Sequence, residues 1–293
     1  MTPDNIDGQT ISIIIPAKNE EAGLITILPT LKQLHGDAEI IVVDDGSSDD
    51  TASIAERHGA RVLKHPYSIG NGAAIKTGAR NANGSILVFM DADGQHSPGD
   101  IQLLLAKLDD GYDMAVGART KDSQASTGRW LVNNIYNKLA SWMVGKRISD
   151  LTSGFRAVNS HKFREFMKLL PNGFSYPTTI TMSFFRAGYT VGYVPVVTNR
   201  REGKSHINPI RDGVRFLLII FRVGTLYSPL KIFFPLAVAH FAVGLSYYLY
   251  TYITVDRFTN MSALLLTTSV LIFLIGLVSE QITNLIYMQE NKD

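Results

Sequence analysis

Cysteine is absent from the 293-residue sequence, and its absence excludes several kinds of site. The protein has no disulfide bonds, no thiolate metal site and no cysteine nucleophile. Net charge is also small: 28 basic and 26 acidic residues leave a formal charge of +2, which does not favour nucleic acid as a partner. The first ten residues lack the basic and then apolar profile of a secretion signal, so we expect the soluble part to remain in the cytoplasm.

Charged residues become rare towards the C-terminus, and this change predicts a membrane part. The uncharged segment 232–255 spans roughly 36 Å at about 1.5 Å per residue, which is enough to cross a bilayer. A second uncharged segment, 261–279, ends at Glu280, which needs either a polar partner or a place near the interface. Lysine and arginine are dense before the first segment and sparse in the turn. The positive-inside rule therefore predicts a multi-pass protein of the cytoplasmic membrane, with the N-terminal part and both termini on the cytoplasmic side.

The segment before the first span predicts a helix that lies along the membrane surface. Within 209–223, three arginines fall within about 40° of one another on a helical projection, while 216–221 is entirely apolar. Such arginines reach towards lipid headgroups, and they disfavour the alternative of a soluble core helix. We therefore predict a soluble domain at 1–208, an interfacial helix at 209–230 and a transmembrane hairpin with a short tail at 231–293.

The first two thirds of the chain alternate short apolar runs with helical patterns. The apolar runs predict strands at 11–16, 39–43, 61–63, 85–90, 112–117 and 190–196. Helical patterns lie between most of these runs and also cover 126–145 and 177–187. This alternation predicts an α/β domain with a mostly parallel sheet covered by helices on both faces.

Acidic residues follow several of the predicted strands. Asp91 and Asp93 follow the strand that ends at Met90, and Asp44 and Asp45 follow the second strand. The carboxyl ends of parallel strands share one edge, where open α/β sheets bind ligands. Asp91 and Asp93 can share one hard cation, and a solvated Asx-type turn is the alternative. After the second strand, N-capping of the next helix is the alternative.

Three other features suggest contacts with phosphate. Gly70 and Asn71 open a helix one turn before Lys76, although this loop matches neither a dinucleotide fingerprint nor a P-loop. Arg119 follows the fifth strand and Arg129 lies on a polar stripe of the next helix, so both are candidate anion clamps. Ordinary surface arginines are the alternative reading.

A basic loop at 199–206 contains Arg200, Arg201 and Lys204 together with one glycine. This composition predicts a flap that closes over phosphate groups. A solvated loop without a function is the alternative.

Together these motifs resemble family 2 glycosyltransferases of GT-A fold, and in particular the dolichyl-phosphate mannose synthase branch, which includes bacterial polyprenyl-phosphate glycosyltransferases. The resemblance rests on the segments 13–20, 43–49, 90–96, 150–156 and 201–205, which occur in this order. It implies a GT-A catalytic domain that binds a nucleotide-diphosphate sugar and a divalent metal. On this resemblance and the motifs above, the expected donor-binding residues are Pro16, Ala17, Asn19, Glu20, Asp44, Asp45, Gly70, Asn71, Lys76, Asp91, Ala92, Asp93, Arg200, Arg201 and Lys204.

The same resemblance implies roles at the metal and at the acceptor. The expected ligands of Mg²⁺ or Mn²⁺ are Asp91, Asp93 and Gln95. The residues expected to hold the acceptor phosphate are Arg119, Arg129 and Ser153. The expected catalytic residues are Asp93, Arg119, Arg129 and Asp150, with Asp150 orienting the sugar or the acceptor.

The expected reaction moves one hexose, with inversion, from a nucleotide-diphosphate sugar to a polyprenyl phosphate such as dolichyl or undecaprenyl phosphate. UDP-glucose, UDP-N-acetylglucosamine and GDP-mannose remain open as donors, and a homo-oligomer remains open. The Gln-x-x-Arg-Trp motif of processive members is absent, because Gln124 lies too far from Arg129 and Trp130. The alternatives are a transferase that acts on a glycan or protein hydroxyl and a non-catalytic membrane scaffold; the intact Asp91 and Asp93 disfavour the scaffold.

Overall fold

The computed structural model describes residues 9–120, 127–173, 175–198, 221, 224–225 and 227–290. Side chains are described from Asn133 in the helix that begins at Thr127, and up to Ile286 in the last helix. The chain forms two compact units, Met1–Ile207 and Asn208–Asp293. Most of the predicted interfacial helix and all of the basic loop at 199–206 lie outside the described residues.

A seven-stranded mixed sheet forms the centre of the first unit. Its strands are β1 (Ile11–Ala17), β2 (Glu39–Asp44), β3 (Arg61–Lys64), β4 (Ile86–Phe89), β5 (Met114–Arg119), β6 (Arg156–Asn159) and β7 (Val191–Val196). The strand order is β3-β2-β1-β4-β6-β5-β7, and β6 runs antiparallel to both of its neighbours while the other pairs are parallel. The predicted mostly parallel sheet is confirmed.

Strand β6 was not predicted, and its sequence explains why. Its apolar part consists only of Ala157 and Val158, and Arg156 at its start is fully buried, contrary to the usual place of arginine. In the sheet, Arg156 is in register with Phe89 of β4. Because β6 runs antiparallel, the preceding segment 150–155 lies at the edge where the parallel strands end.

Helices cover both faces of the sheet. They are α1 (Glu21–Leu34), α2 (Thr51–Arg57), α3 (Asn71–Asn81), α4 (Ile101–Asp109), α5 (Thr127–Val144), α6 (Ser160–Glu165) and α7 (Tyr176–Arg186). Helices α1, α2 and α4 share one core with Ile13 and Ile15 of β1. On the other face, Phe89 packs on Phe163 of α6 with ring centroids 4.7 Å apart, and on Tyr176 of α7 at 6.3 Å. The predicted two-sided covering is confirmed.

The second unit is a hairpin of two apolar helices, α8 (Pro229–Val255) and α9 (Asn260–Glu290). Each has a stretch of 27 residues that is long and apolar enough to cross a membrane. At about 1.5 Å per residue each stretch is roughly 40 Å long. Many apolar side chains point outward from this unit, such as Ile253, which is 80% exposed. The two predicted spans therefore correspond to α8 and α9.

Glu280 of α9 has the polar partners that its position demands. Its Oε2 accepts a hydrogen bond from the backbone N–H of Leu230 at 3.1 Å and from the Ser228 hydroxyl at 3.4 Å. Leu230 lies in the first turn of α8, where backbone N–H groups have no partner within their own helix. A carboxylate of the second helix therefore completes the start of the first.

Candidate active site

The loops after β1, β2 and β4 meet at one edge of the sheet. Parallel pairing aligns Ala17 with Asp44, and the backbone N–H of Asp45 donates to Ala17 O at 2.9 Å. Strand β4 pairs with the other side of β1, so Asp91 and Asp93 follow at the same edge. The structure thus brings together the acidic strand ends that the sequence singled out.

Asn19 joins the loop after β1 to the loop after β2. Its Oδ1 accepts from the Ser48 N–H at 2.8 Å, and its own N–H donates to Ser47 Oγ at 3.0 Å. Next to it, the Glu20 N–H donates to Thr51 Oγ1 at 2.9 Å. Asn19 has a φ of 54°, a left-handed conformation that asparagine adopts more readily than most side chains. Asn19 and Glu20 therefore fix the shape of this wall of the site.

Asp44 and Asp49 bond within their own loop. Asp44 Oδ1 accepts from the Ser47 N–H at 2.9 Å, and Asp49 Oδ1 accepts from the Thr51 N–H at 3.1 Å. These are the local turn and capping bonds that short acidic side chains form. The Asp49 bond to Thr51, the first residue of α2, agrees with the capping alternative, and Asp44 lies buried at the end of β2.

Asp45 anchors the loop after β3 and does not cap α2. Its carboxylate accepts four hydrogen bonds, from His65 Nδ1 at 2.7 Å, Ser68 Oγ at 2.8 Å, the Ile69 N–H at 2.8 Å and the Gly70 N–H at 2.9 Å. Burial acts to raise the pKa of Asp45, but these bonds, led by that from His65, outweigh it and hold the pKa below its ordinary value. Asp45 thus places the Gly70 loop beside the site.

The start of α3 and Lys76 are bonded to protein groups. The Ala73 N–H donates to Asn172 O at 2.8 Å. Lys76 Nζ donates to Leu170 O at 3.0 Å and to Asn172 Oδ1 at 2.5 Å. Burial lowers the pKa of Lys76, and the charge of nearby Arg80 adds to this effect. The loop 170–172 therefore supplies hydrogen-bond acceptors to Lys76, and its predicted contact with the donor stays a prediction.

The Asp91–Asp93 turn packs directly on helix α1. Gly23 of α1 lies so close that a Cβ at this position would be 2.0 Å from Ala92 O. Asp93 Oδ1 accepts from the Gln95 N–H at 3.1 Å, which is the Asx-type turn expected as the alternative. The turn and the metal site are compatible readings, because the turn fixes where the two carboxylates lie.

The donor set of this turn fits Mg²⁺ or Mn²⁺. Asp91, Asp93 and the side-chain carbonyl of Gln95 offer only oxygen atoms, the type of ligand these ions prefer. Within the described ranges, no group of three or more His, Asp or Glu side chains forms a metal cluster. Two carboxylates suffice for an ion that keeps waters or takes substrate phosphates as its remaining ligands.

Arg119 and Asp150 form a bidentate pair at the end of β5. Arg119 Nε and Nη2 donate to Asp150 Oδ2 and Oδ1 at 2.7 and 2.9 Å, and Nη2 also donates to Thr152 Oγ1 at 2.5 Å. Burial acts to lower the pKa of Arg119, while the bonds and charge of Asp150 raise it above its ordinary value. Conversely, burial acts to raise the pKa of Asp150, and Arg119 lowers it below the ordinary value. Both residues are therefore charged at neutral pH.

Asp150 also organises the segment before β6. Its Oδ1 accepts from the backbone N–H groups of Thr152 at 3.1 Å and Ser153 at 3.2 Å. Asn137 of α5 holds the flanking backbone, since its Nδ2 donates to Ser149 O at 2.8 Å and its Oδ1 accepts from the Leu151 N–H at 3.0 Å. Asn137 lies eight residues after Arg129 on the polar stripe of α5, and these contacts give it a structural role.

Arg156 and Tyr176 both hydrogen-bond to backbone carbonyls of the same segment before β6. Arg156, which is fully buried, donates to Ser153 O and, at 3.2 Å, to Pro177 O. The Tyr176 hydroxyl donates to Gly154 O at 3.2 Å. Burial lowers the pKa of Arg156 below its ordinary value. Neither residue could be given a role from the sequence, because this support joins the segment to the distant helix α7.

Gly154, whose carbonyl accepts the hydrogen bond from Tyr176, also lies next to Asp91. A Cβ on Gly154 would lie 3.0 Å from Asp91 Oδ2, so the backbone of Gly154 lies directly beside the carboxylate. The motif containing Gly154 was recognised in the sequence, but the close approach that requires glycine was not.

His96, the last residue of the 90–96 motif, lies on the other side of the turn. Its ring stacks on Phe155 with centroids 4.8 Å apart, and it is 6% exposed. Its Nδ1 has no hydrogen-bond partner in the described part of the chain. Burial lowers the pKa of His96 despite the nearby charge of Asp93, so the ring is neutral at pH 7.

The side chains of four predicted site residues lie outside the described part of the structure. Arg200, Arg201 and Lys204 fall outside the described residues, and so does the side chain of Arg129, although its backbone belongs to α5. Ser153 is buried, 3% exposed, and its Oγ lacks a hydrogen-bond partner among the described residues.

Comparison with known proteins agrees with this arrangement. The family model "Glycosyl transferase family 2" matches residues 12–167, and the model "GtrB C-terminal hairpin" matches residues 228–285. Glycosyltransferase AglJ of Haloferax volcanii is 29% identical over 255 residues, which cover 85% of this chain and 82% of that protein. The polyprenol monophosphomannose synthase of Mycolicibacterium smegmatis is 28% identical over 209 residues, covering 66% of this chain and 79% of the synthase.

Two further similarities concern an enzyme and a solved structure. An undecaprenyl-phosphate 4-deoxy-4-formamido-L-arabinose transferase of Proteus mirabilis is 33% identical over 161 residues, which cover 52% of this chain and 49% of the transferase. Glucosyl-3-phosphoglycerate synthase from Mycobacterium tuberculosis, crystallised with Mn²⁺ and UDP, superposes with a TM-score of 0.59 at 23% identity, covering 74% of this chain and 78% of that one. This second likeness shows a shared GT-A fold.

Proposed function

The chain belongs to glycosyl transferase family 2, and we propose that it transfers a hexose from a nucleotide-diphosphate sugar to a polyprenyl phosphate at a membrane. The observation that carries the proposal is the Arg119–Asp150 pair at the same sheet edge as Asp91 and Asp93, in a chain with two helices able to cross a bilayer. The names of two relatives support the acceptor class, since they denote polyprenol and undecaprenyl-phosphate enzymes.

The donor occupies the acidic edge in this proposal. Its nucleoside lies against the wall formed by Pro16, Ala17, Asn19, Glu20 and Asp44. Asp45 acts indirectly, because its carboxylate is saturated by the loop that ends at Gly70. The basic flap residues Arg200, Arg201 and Lys204 are proposed to hold the diphosphate. UDP-glucose, UDP-N-acetylglucosamine and GDP-mannose all fit this scheme.

Asp91, Asp93 and Gln95 are proposed to hold Mg²⁺ or Mn²⁺. When bound, the ion would supply positive charge against the leaving diphosphate. The Mn²⁺ in the solved structure of the synthase from M. tuberculosis supports the choice of ion. Gly154 keeps the backbone beside Asp91 and so orients its carboxylate.

Arg119 is proposed to align the acceptor phosphate, together with Arg129 and Ser153. Its bonds to Asp150 and Thr152 use Nε and Nη2, and we assign the Nη1 edge to the acceptor. A phosphate monoester has a second pKa of about 6, so it is mostly dianionic at pH 7 and needs no general base. The protein then contributes positioning and charge stabilisation.

Transfer to a hydroxyl is the second candidate, and Asp150 argues against it. A hydroxyl acceptor needs a carboxylate base, but Asp150 accepts several hydrogen bonds and its pKa is held below the ordinary value. A transfer assay in membranes that offers radiolabelled nucleotide sugars to polyprenyl phosphate and, separately, to free sugars tests both candidates. Label in the free sugars alone would overturn the lipid acceptor.

Asp93→Ala tests the metal site within the same assay. We expect transfer to be lost while the free energy of unfolding falls by only about 1 kcal/mol, the typical contribution of one hydrogen bond, here that from the Gln95 N–H. Asp109→Ala, at an exposed carboxylate near the end of α4, is the matched control and should keep full activity. Full activity of Asp93→Ala with metal present would sink the metal assignment. We also propose that the catalytic domain faces the cytoplasm, and accessibility of that domain to protease in sealed vesicles tests this.

A further inference from the structure

Helix α5 presents an exposed apolar stripe that the proposed site does not use. Ile135 and Trp142 are 56% and 52% exposed, and Leu139 between them is half-buried. The three positions lie within about 60° of one another on a helix of 3.6 residues per turn. The inner side of the helix is covered, since Tyr136 is 3% exposed and Met143 2%. The domain therefore buries one apolar side of α5 and leaves a second one outside.

Basic residues accompany this stripe. Lys138, Lys146 and Arg147 are exposed, and the sequence contains no aspartate or glutamate between 133 and 149. Lys138 projects about 40° from Trp142 around the helix. An apolar stripe with a tryptophan and neighbouring cations matches the headgroup layer of a membrane, where indole rings concentrate and cations meet anionic lipids.

We infer that the α5 face, formed by Ile135, Leu139 and Trp142 with the three basic residues named above, docks on the surface of an anionic lipid bilayer. A second copy of the chain is a poorer occupant, because two such faces would bring like charges together. Single exposed apolar residues such as Leu103 are common on protein surfaces and need no partner. The same chain contains two helices that are long and apolar enough to cross a bilayer, which favours a bilayer as the partner of this face.

The α5 face is linked to the acceptor residues through Asn137. Asn137 bonds the backbone of Ser149 and Leu151, which flank Asp150, and Asp150 in turn holds Arg119. Docking of α5 at the headgroup layer would therefore hold the segment that bonds Arg119 close to the lipid headgroups. This consequence rests on the proposed function, whereas the docking itself does not.

The absence of cysteine makes the docking directly measurable. Ile135→Cys and, as the matched control, Leu103→Cys each introduce a single thiol into the full-length chain, and each is labelled with a nitroxide. Leu103 is 47% exposed and lies on α4, in the helix layer that shares its core with α1. In nanodiscs that contain phosphatidylglycerol, collision rates with oxygen report lipid and those with a water-soluble nickel chelate report water.

We expect the label at Ile135 to collide more with oxygen than with the nickel chelate, and the label at Leu103 to show the reverse. Equal nickel access at both positions would overturn the proposal. Low access of the Ile135 label to both reagents would indicate a protein contact, and this too would overturn it. Labels at Lys138→Cys provide a second position if Ile135→Cys does not fold. None of these readouts requires catalysis, so they remain informative if the lipid-acceptor function fails.

Charge reversal tests the cationic part of the α5 face. The triple variant Lys138→Glu, Lys146→Glu and Arg147→Glu should raise the KM for long-chain polyprenyl phosphate in anionic nanodiscs by about a hundredfold, since each of the three cations near such a surface contributes on the order of a factor of five. Transfer to a short, water-soluble isoprenyl phosphate should not change. An unchanged KM for the long-chain acceptor would refute the electrostatic contribution.

Discussion

Replacing Asp150 by asparagine separates a positioning role from a role as a base. Asparagine would keep one of the two oxygens that accept hydrogen bonds at this position. Its NH₂ group would replace the other oxygen and would face a donor of Arg119 or of the backbone. A hydrogen bond to a charged group contributes about 1.5–3 kcal/mol. Because the Asp150 side chain is only 6% exposed and also accepts two backbone N–H groups, we take the upper end, about 3 kcal/mol of unfolding free energy.

The larger effect is expected on catalysis. Without its two bonds to the Asp150 carboxylate, the Arg119 guanidinium loses its fixed direction. The loss of one well-placed donor typically reduces kcat about 10²–10³-fold. We expect Asp150→Asn to lower kcat/KM for the lipid phosphate about a hundredfold, and Arg119→Gln to lower it at least as much. The double variant should lose far less than the product of the two single losses, since Asp150 acts largely through Arg119. Its bonds to the Thr152 and Ser153 N–H groups account for the small remaining loss.

The assay is initial-rate transfer to polyprenyl phosphate over a range of pH for the wild type, both single variants and the double variant. If the acceptor needs no base, the acidic limb reports its own second ionisation near about pH 6 and persists in Asp150→Asn. Additive losses in the double variant would refute the coupling of Asp150 to Arg119. Disappearance of that limb in Asp150→Asn would make Asp150 a base. Thermal unfolding of each variant shows that the domain is folded.

Three further predictions concern packing and charge at the same edge. Gly23→Ala should lower the unfolding free energy by about 3 kcal/mol in thermal or denaturant unfolding, because its Cβ would lie 2.0 Å from a backbone oxygen of the metal turn. Gly154→Ala should lower the unfolding free energy by only about 1 kcal/mol, but it should weaken Mn²⁺ binding about tenfold, because its Cβ would displace the Asp91 carboxylate. Electron paramagnetic resonance of Mn²⁺ measures the binding. Asp45→Asn should lower the unfolding free energy by about 3 kcal/mol at pH 7. Because the folded pKa of Asp45 is lowered, this difference should be full above the unfolded pKa of about 3.9 and vanish as pH falls through the folded pKa.

These predictions have built-in controls. Gly99→Ala changes a glycine whose nearest atom to a new Cβ is Ser97 Oγ at an ordinary 3.6 Å, so it should leave stability nearly unchanged. Equal losses for the variants at Gly99 and Gly23 would show that close approach to the turn is not the cause. A pH-independent difference between Asp45→Asn and wild type would contradict the charge-based explanation.

The parts of the fold that the sequence predicts are those in which local pattern and tertiary position agree. Strands β1, β2 and β4 are apolar runs that end in polar residues, so both the strands and their common edge could be foreseen. Strand β6 could not, because it begins with the buried Arg156 and depends on partners in α7. Its antiparallel direction follows from the whole chain path and has no local signal.

For the candidate site, residue types were readable but their partners were not. Asp45 and Lys76 both have the character of ligand-binding groups, yet their bonds go to loops elsewhere in the chain. The loop that holds Lys76 includes Asn172, which lies 96 residues further along the chain. Contacts at that separation are set by how α3 packs against the segment after α6, which a motif does not report.

The carboxylate of Glu280 has a consequence for how the C-terminal hairpin is made. In a bilayer an unpaired backbone N–H is costly, and α8 alone would leave that of Leu230 without the oxygen it uses in the finished hairpin. The hydroxyl of Thr283, also on α9, donates to Thr225 O at 3.1 Å just before α8. We therefore expect the two helices to enter the lipid together as one unit, because α9 supplies partners that the start of α8 lacks when it is alone.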